Sequence, residues 1–266
     1  MSFPLIDIGA NIAHEGFDDD RAQMMQRAAA AGVERIIVTG SSDESNVRAA
    51  ELAEQSPGIL YATAGVHPHH ASDYSDESDA LIRSLIQKDA VVAVGECGLD
   101  YFRDLSPRED QLSAFRRQLE IAKESGLPVF LHQRDAHEDF VELLEPAMPD
   151  LSRAVAHCFT GDSESLREYI AMDLYIGITG WICDERRGKH LHDIVSTIPD
   201  DRLLVETDAP YLLPRTIRPR PKGRRNEPMY LPEVVRVIAE ARGQSEQHVA
   251  EQTTANAIRF FGLAES

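Results

Sequence analysis

Eight short apolar runs alternate with helical segments along this chain of 266 residues. Each run has the length and composition of a buried strand. They cover residues 5–11, 35–40, 60–67, 91–96, 128–132, 153–157, 174–179 and 203–208. Strands that alternate with helices predict parallel βαβ units, which either close into a barrel or form an open doubly wound sheet.

The polar residues at the ends of these runs favour the barrel. They follow the first, third, fourth, fifth, sixth and eighth runs, which suits a ring of strand ends better than one crevice. In a closed barrel of about 250 residues, all strand carboxyl ends open on one face, whereas an open sheet concentrates its site at one switch point. We therefore predict a single (β/α)8 (TIM) barrel domain over residues 1–266.

The clearest helix is predicted over residues 106–126. Ser106 suits the N-cap, Pro107 the first helical position, Glu109 the capping-box position and Gly126 the end. Further helices are predicted at 18–32, 76–88, 136–146, 230–243 and 245–262.

Four of the apolar runs end in residue types that ligate metals: Glu96, His132, His157 and Asp208. Burying such a group without a partner costs free energy. Each residue alone is compatible with a structural role, as a hydrogen-bonded histidine or a helix-capping carboxylate. Their joint occurrence at one end of four strands predicts one shared metal site.

A carboxylate and two imidazoles suit Zn²⁺, Mn²⁺ or Fe²⁺, whereas Mg²⁺ prefers oxygen ligands and water. Such a site acidifies a bound water and polarises a phosphoryl or carbonyl oxygen. Asp208 can ligate a second ion or accept the proton of the attacking water. We predict Glu96, His132, His157 and Asp208 as metal ligands, with Asp208 and Glu96 as the catalytic groups of a metal-dependent hydrolase.

Other residues of the predicted rim suit substrate contacts. His67 ends the third run, and Arg134 follows the fifth; either can position substrate or have a structural role. His69 and His70 are predicted to lie mostly at the surface. Strand alternation turns Cys97 and Cys158 away from the barrel interior, so both are expected between sheet and helices.

The net charge of −18 argues against a broadly basic nucleic-acid-binding surface. Residues 215–225 nevertheless carry six cations and no acidic residue. The segment is either a solvated, proline-stiffened loop or, since it follows the eighth strand, a site for the nucleic-acid backbone through Arg224 and Arg225. Trp181, Tyr211 and Tyr101 also follow strand ends and suit stacking on unpaired bases, although core packing explains Trp181 equally well.

The chain shows no export signal and no apolar run of about 20 residues that would span a bilayer. Its three cysteines are consistent with a reducing compartment. We expect a cytoplasmic monomer with no membrane partner.

Seven segments, in order along nearly the whole chain, resemble the TatD family of metal-dependent deoxyribonucleases. They are AGVHPH (64–69), VGECGLDY (94–101), PVFLHQRDAH (128–137), HCFTG (157–161), YIGITGW (175–181), ETDAPYLLP (206–214) and RRNEP (224–228). The resemblance implies an amidohydrolase-like (β/α)8 barrel and a 3′–5′ exonuclease on single-stranded DNA, with RNA as a further substrate. It also implies a role in DNA repair or degradation. It assigns Glu96, His132 and His157 as metal ligands and Asp208 as the acid or base of the site.

One departure from the family pattern concerns the first strand, where most members carry His-x-His. This chain has Asn11 and Ala13 at those positions, and His14 falls one residue out of register. It shares this loss with a subgroup that resembles TatD itself. We therefore predict one well-held ion and a second that is weak or arrives with substrate.

The working ion is expected to be Mg²⁺ because of its cellular availability, with Mn²⁺ or Zn²⁺ as alternatives. Two other functions remain open from the sequence. One is a metal-dependent amidohydrolase or esterase acting on a small molecule or aminoacyl ester, which gives residues 215–225 no role. The other is a non-enzymatic scaffold, which the retained ligand residues argue against.

Overall fold

A computed structural model describes residues 3–264 of the chain. Within them, eight parallel strands form one sheet whose spatial order follows the sequence. The strands are β1 (Leu5–Ala10), β2 (Val33–Val38), β3 (Leu60–Ala64), β4 (Val91–Asp100), β5 (Val129–Arg134), β6 (Ala154–Ala156), β7 (Tyr175–Ile178) and β8 (Leu203–Val205). The predicted (β/α)8 fold is confirmed.

The first and last strands meet just beyond their carboxyl ends. The Asp208 amide donates to the Gly9 carbonyl at 2.8 Å, and the Asn11 amide donates to the Ala209 carbonyl at 2.7 Å. These backbone hydrogen bonds bring the segment after β8 beside the end of β1.

Helices connect the strands around the outside. They are α1 (Arg21–Ala30), α2 (Asp43–Gln55), α3 (Asp76–Leu85), α4 (Arg108–Ser125), α5 (His137–Leu144), α6 (Ser163–Ala171), α7 (Lys189–Ile194), α8 (Leu231–Arg242) and α9 (Glu246–Phe261). Short 3-10 turns lie at Glu15–Phe17, Pro68–Asp73, Met148–Asp150, Gly180–Cys183, Val195–Thr197, Asp200–Arg202 and Pro228–Tyr230. The six predicted helices are confirmed, whereas α2, α6 and α7 were not predicted. No helix between residues 3 and 264 is long and apolar enough to cross a membrane.

The predicted cap of α4 is wrong. Its N-cap is Pro107, and no side chain caps the helix. The Ser106 hydroxyl instead accepts a hydrogen bond from the Ser72 amide at 3.2 Å and donates to the His69 carbonyl at 3.1 Å. Ser106 therefore fastens the turn that follows β3. The predicted end at Gly126 is confirmed, with φ at 70°.

Apolar side chains fill the barrel interior at the amino-terminal ends of the strands. Ile8, Phe130 and Leu204 belong to this inner cluster together with Phe260 of α9. The Asn256 side chain of α9 donates to the Leu203 carbonyl at 2.8 Å. Helix α9 thus closes the amino-terminal end of the barrel and leaves the carboxyl end for the polar residues.

Close approach of β4 and β5 requires glycine on either side of Glu96. A Cβ atom at Gly95 would lie 2.2 Å from the Phe130 carbonyl oxygen, and one at Gly98 would lie 1.9 Å from the His132 carbonyl oxygen. Both glycines also have positive φ, at 120° and 141°, a region that side chains disfavour. The glycines allow Glu96 to stand beside His132.

Candidate metal centre

Three imidazoles converge on one carboxylate oxygen, Glu96 Oε1. His157 Nε2 lies 2.7 Å away, His132 Nδ1 3.3 Å and His67 Nε2 3.5 Å. Glu96 is buried near the top of the barrel, and His67 and His157 are buried with it. The structure therefore brings the ends of β3, β4, β5 and β6 to a single point.

The donor set fits a divalent transition ion. Ligand atoms of His67, Glu96 and His132 all lie within 4.8 Å of one another. Imidazole nitrogen and carboxylate oxygen are normal ligands for Zn²⁺, Mn²⁺ and Fe²⁺. Two predicted ligands, Glu96 and His132, therefore share this group with His67, which was predicted as a substrate contact. His157 adjoins the group through Glu96.

The electrostatics of the cluster are those of a cation site. Burial alone would raise the pKa of Glu96, but the charges of His67 and His157 hold that pKa well below its usual range. Burial alone would lower the pKa of His157, but the Glu96 and Glu206 carboxylates raise it well above its usual range. The surrounding carboxylates thus stabilise positive charge at His157.

Glu206, fully buried inside the barrel, faces the other side of His157. Its Oε2 lies 3.4 Å from His157 Nδ1, and its Oε1 accepts a hydrogen bond from the Cys158 amide at 2.5 Å. Gly9 and Gly177 make room for it, since a Cβ at either position would lie 2.4 or 2.6 Å from a Glu206 carboxylate oxygen. A carboxylate behind a metal-binding histidine fixes the tautomer and orientation of the ring.

Asp100 supports His132 in a similar way. Its Oδ2 lies 3.2 Å from His132 Nε2 and 2.9 Å from His69 Nε2. Burial opposes the charge of Asp100, but hydrogen bonds from these two histidines lower its pKa. The prediction of a surface role for His69 is therefore wrong, because the turn after Pro68 folds its ring back onto Asp100.

Asp208 lies close to the histidine cluster but outside the group of mutually adjacent ligand atoms. Its Oδ1 accepts a 3.0 Å hydrogen bond from the Asn11 side chain. Burial raises the pKa of Asp208 to about 7, although the charge of His157 opposes the shift. A carboxylate with a pKa near neutrality is suited to accept a proton at physiological pH.

The prediction for Cys97 is confirmed, and the prediction for Cys158 is wrong. Cys97 is buried between sheet and helices. Cys158 has φ at 46°, which breaks the strand alternation, and its Sγ lies 3.5 Å from Thr179 Oγ1. Burial and the charge of Asp208 raise the pKa of the Cys158 thiol well above its usual value, so it is protonated and a poor metal ligand.

Two clefts flank the centre. The larger, of about 650 Å³, is lined by His157 and Arg134 among others. The smaller, of about 300 Å³, is lined by Asn11, His14 and Tyr211 among others. The larger cleft therefore gives substrate room next to His157, and the smaller one lies beside Asn11, the hydrogen-bond partner of Asp208.

Comparison with known proteins decides the family. The profile of TatD-related DNases matches residues 6–262. A protein of Erwinia billingiae named 3′-5′ ssDNA/RNA exonuclease TatD is 50% identical over 259 residues, which cover 97% of this chain and 99% of that protein. The chain belongs to the TatD-related DNase family.

Solved structures of relatives agree in fold with this TatD-family chain. The TatD homolog YjjV of Escherichia coli K12 has a TM-score of 0.89 at 32% identity, covering 98% of both chains. An uncharacterized amidohydrolase of Saccharomyces cerevisiae has a TM-score of 0.83 at 22% identity, covering 97% of this chain and 99% of that one. The (β/α)8 barrel implied by the sequence is thus confirmed.

The first strand of this TatD-family member ends without metal ligands. Ala13 is buried, and Nδ1 of the exposed His14 accepts a hydrogen bond from the Gly16 amide at 2.9 Å. Asn11 contacts Asp208 as described above. Asn11 therefore stands where most of the family have a metal-binding histidine, and it donates a hydrogen bond to Asp208, the predicted base.

The two arginines predicted to bind the substrate backbone have different surroundings. Arg225 forms ion pairs of 2.8 Å with Asp20 and Glu227, and its guanidinium lies 4.8 Å from the Phe17 ring centre. Arg224 is exposed and has no ion pair with any residue between 3 and 264. Arg225 fastens the loop after β8 to the start of α1, whereas Arg224 is available to a ligand.

Sequence reasoning missed Glu206 and Asp7. Asp7 is fully buried on β1 and accepts hydrogen bonds from Thr207, including its amide at 2.9 Å. Alternation along the eighth run would have indicated that Glu206 faces the barrel interior, because it is two residues from the inward-facing Leu204.

Proposed function

We propose that this TatD-family protein is a divalent-metal-dependent nuclease that removes nucleotides from the 3′ end of single-stranded DNA or RNA. The observation that carries the proposal is the convergence of His67, His132 and His157 on Glu96 Oε1. The 50% identical relative named as a 3′-5′ ssDNA/RNA exonuclease supports the reaction and its direction.

Glu96, His132 and His157 hold the cation in this proposal, and Asp208 completes its surroundings from the end of β8. His67 is near enough to Glu96 to serve as a further ligand. We propose Mg²⁺ as the ion in use, with Mn²⁺ or Zn²⁺ as alternatives. The bound cation would acidify a water molecule and neutralise charge on the phosphoryl oxygens.

Asp208 accepts the proton of the attacking water. Oδ1 of this carboxylate accepts a hydrogen bond from Asn11, whereas Oδ2 has no hydrogen-bond donor between residues 3 and 264, so we assign the proton to Oδ2. The raised pKa, about 7 without the cation, makes the carboxylate a stronger base than an exposed aspartate. Glu96 remains charged because the surrounding imidazoles lower its pKa.

Substrate contacts are proposed for Arg134, on the wall of the larger cleft, and for Arg224 in the loop after β8. A guanidinium without a carboxylate partner suits a phosphodiester. Arg225 does not contact substrate in this proposal, since its donors are already used in ion pairs with Asp20 and Glu227. It acts by holding the loop that carries Arg224 in position.

We also propose that residues 1–266 form one domain that acts as a monomer in the cytoplasm. The single eight-stranded sheet supports the first point. The three free cysteines are compatible with a reducing compartment.

The test is digestion of four substrates with and without added Mg²⁺ or Mn²⁺: 5′-labelled and 3′-labelled single-stranded DNA, duplex DNA, and RNA. We expect metal-dependent release of labelled mononucleotide from the 3′-labelled single strand and a ladder from the 5′-labelled one. Cyclic amides and carboxylic esters are assayed under the same conditions. Their hydrolysis, with all oligonucleotides intact, would refute the proposal in favour of a small-molecule hydrolase.

A further inference from the structure

Phe102, Arg134 and Trp181 form a stack on the rim of the barrel beside the metal centre. The Arg134 guanidinium carbon lies 3.8 Å from the Phe102 ring centre and 5.6 Å from that of Trp181. Phe102 follows β4, Arg134 ends β5 and Trp181 follows β7, so the three side chains meet above the carboxyl ends of the strands, with β6 between β5 and β7. We call these three residues the stacking platform.

Two features of the platform lack a structural explanation. Phe102 is 55% exposed, among the largest exposures of any large apolar side chain between residues 3 and 264. The Arg134 guanidinium has no ion pair or hydrogen bond with a described residue, although the chain carries 45 acidic residues against 27 basic ones. An exposed ring next to an unpaired guanidinium is typical of a binding surface rather than of a packed core.

The neighbouring charges leave Arg134 available. The Arg187 guanidinium carbon lies 4.4 Å from the Trp181 ring centre, and Arg187 is itself paired with Asp184. Of the acidic side chains that line the same cleft, Asp139 accepts a hydrogen bond from the Tyr101 hydroxyl, Asp162 caps α6, and the exposed Asp135 and Glu138 form no ion pair with Arg134. No carboxylate between residues 3 and 264 therefore pairs directly with Arg134.

We propose that the stacking platform is a subsite for one unpaired nucleotide of the substrate strand. The base stacks on the exposed face of Phe102, and the adjoining phosphate accepts hydrogen bonds from Arg134. Single-stranded binding proteins combine aromatic faces with guanidinium groups in this way. The inference rests on the proposed nuclease function and adds where the strand lies and why it must be unpaired.

The distance to the metal centre fits this role. His132 and Arg134 are two residues apart on β5, so they share a face and lie about 7 Å apart along the strand. A stacked nucleic-acid strand advances about 3.4 Å per nucleotide, so the platform lies about two nucleotides from the scissile phosphate. A base-paired strand cannot offer an unstacked base there, which explains a preference for single strands.

The experiment compares Phe102→Ala and Arg134→Ala with the wild type on two substrates in the presence of metal. One is a decathymidylate, and the other is the p-nitrophenyl ester of thymidine 5′-monophosphate, which is too short to reach the platform. We expect each variant to lower the kcat/KM preference for the decamer over the ester roughly ten- to hundredfold, mostly through KM, as the loss of one stacked base predicts. Arg134→Lys should restore little of the preference for the decamer, because lysine keeps the charge but lacks the planar guanidinium group.

Leu105→Ala and Arg116→Ala are matched controls. Leu105 is 66% exposed in the same loop as Phe102, and Arg116 is an exposed cation on α4. Neither substitution should change the preference. A preference within twofold of the wild type in Phe102→Ala and Arg134→Ala, or an equal fall on both substrates, would overturn the platform while leaving the nuclease function intact.

Fluorescence provides a readout independent of catalysis, since Trp181 is the one tryptophan of the chain. Decathymidylate added in EDTA should quench the emission of the wild type, with a dissociation constant that rises at least tenfold in Phe102→Ala. Quenching without cleavage in the presence of metal would support the platform and refute the nuclease. Cleavage of the decamer by the wild type, with quenching unchanged in Phe102→Ala, would support the nuclease and overturn the platform.

Discussion

The Asn11 side chain donates a 3.0 Å hydrogen bond to Oδ1 of Asp208. The pair joins the ends of β1 and β8, the two strands that close the barrel. In most of the family, as the sequence resemblance indicates, a histidine ligand occupies the position of Asn11. Here the first strand orients the proposed base instead of holding an ion.

Substitution of Asn11 tests this role. Asn11→Ala removes a hydrogen bond to a charged group, which is worth roughly 1.5–3 kcal/mol, so we expect kcat to fall about ten- to hundredfold at saturating metal. The measurement is steady-state turnover of a single-stranded oligonucleotide, with a thermal unfolding curve to show that the variant is folded. An unchanged kcat would mean that Asp208 does not depend on Asn11.

Glu206 is expected to control metal affinity through His157. Glu206→Gln keeps the size of the side chain but removes the charge that lies 3.4 Å from His157 Nδ1. Loss of such a supporting group typically weakens metal binding ten- to a hundredfold, which isothermal titration with Mn²⁺ can measure. The exposed Glu34→Gln is the control. Equal affinity in the wild type and Glu206→Gln would refute the supporting role.

Asp7 should make the fold less stable as pH rises. Burial raises the pKa of Asp7 from the ordinary 3.8 to about 7, although hydrogen bonds from Thr207 oppose the shift. Because the folded state binds this proton more tightly than the unfolded state, stability is lost as pH rises between about 4 and 7. The difference in pKa corresponds to a loss of up to about 4 kcal/mol.

Urea unfolding at pH 5 and pH 8 measures this effect. Asp7→Asn should lose less stability than the wild type between the two pH values, whereas the exposed Asp89→Asn should behave like the wild type. The prediction fails if Asp7→Asn and the wild type lose the same amount.

Arg224 and Arg225 should separate into a substrate contact and a structural contact. Arg224→Ala should weaken binding of single-stranded DNA and reduce the slope of log affinity against log salt by about 1. Arg225→Ala should instead cost about 1–2 kcal/mol of stability, since partly exposed ion pairs are individually weak and this residue has two of them. A reversed assignment, with the salt slope changed by Arg225→Ala alone, would show that the loop binds DNA differently.

Much of the fold could be predicted from the sequence because buried parallel strands are continuous apolar runs. The ligand residues stood out because they end such runs. Helix α2 escaped prediction because its buried face consists of alanines and Asn46 rather than large apolar residues, so it lacks a clear periodic signal.

Each error at the site has a structural cause. Strand alternation failed at Cys158 because its positive φ ends the regular strand. The turn after Pro68 returned His69 to Asp100, a contact between residues 31 positions apart that no local pattern reveals. The roles of Glu206 and Asp7 depend on packing inside the barrel, which only the three-dimensional structure shows.

The central claim is that Glu96 organises the metal centre of a nuclease. The most direct measurement is cleavage of a 3′-labelled single-stranded oligonucleotide by Glu96→Gln across a titration of Mg²⁺ and Mn²⁺, beside the wild type. We predict that the wild type gives metal-dependent cleavage and that the folded variant loses at least a hundredfold in rate at every metal concentration. Wild-type cleavage by Glu96→Gln, or equal cleavage by both proteins in EDTA, would contradict the account.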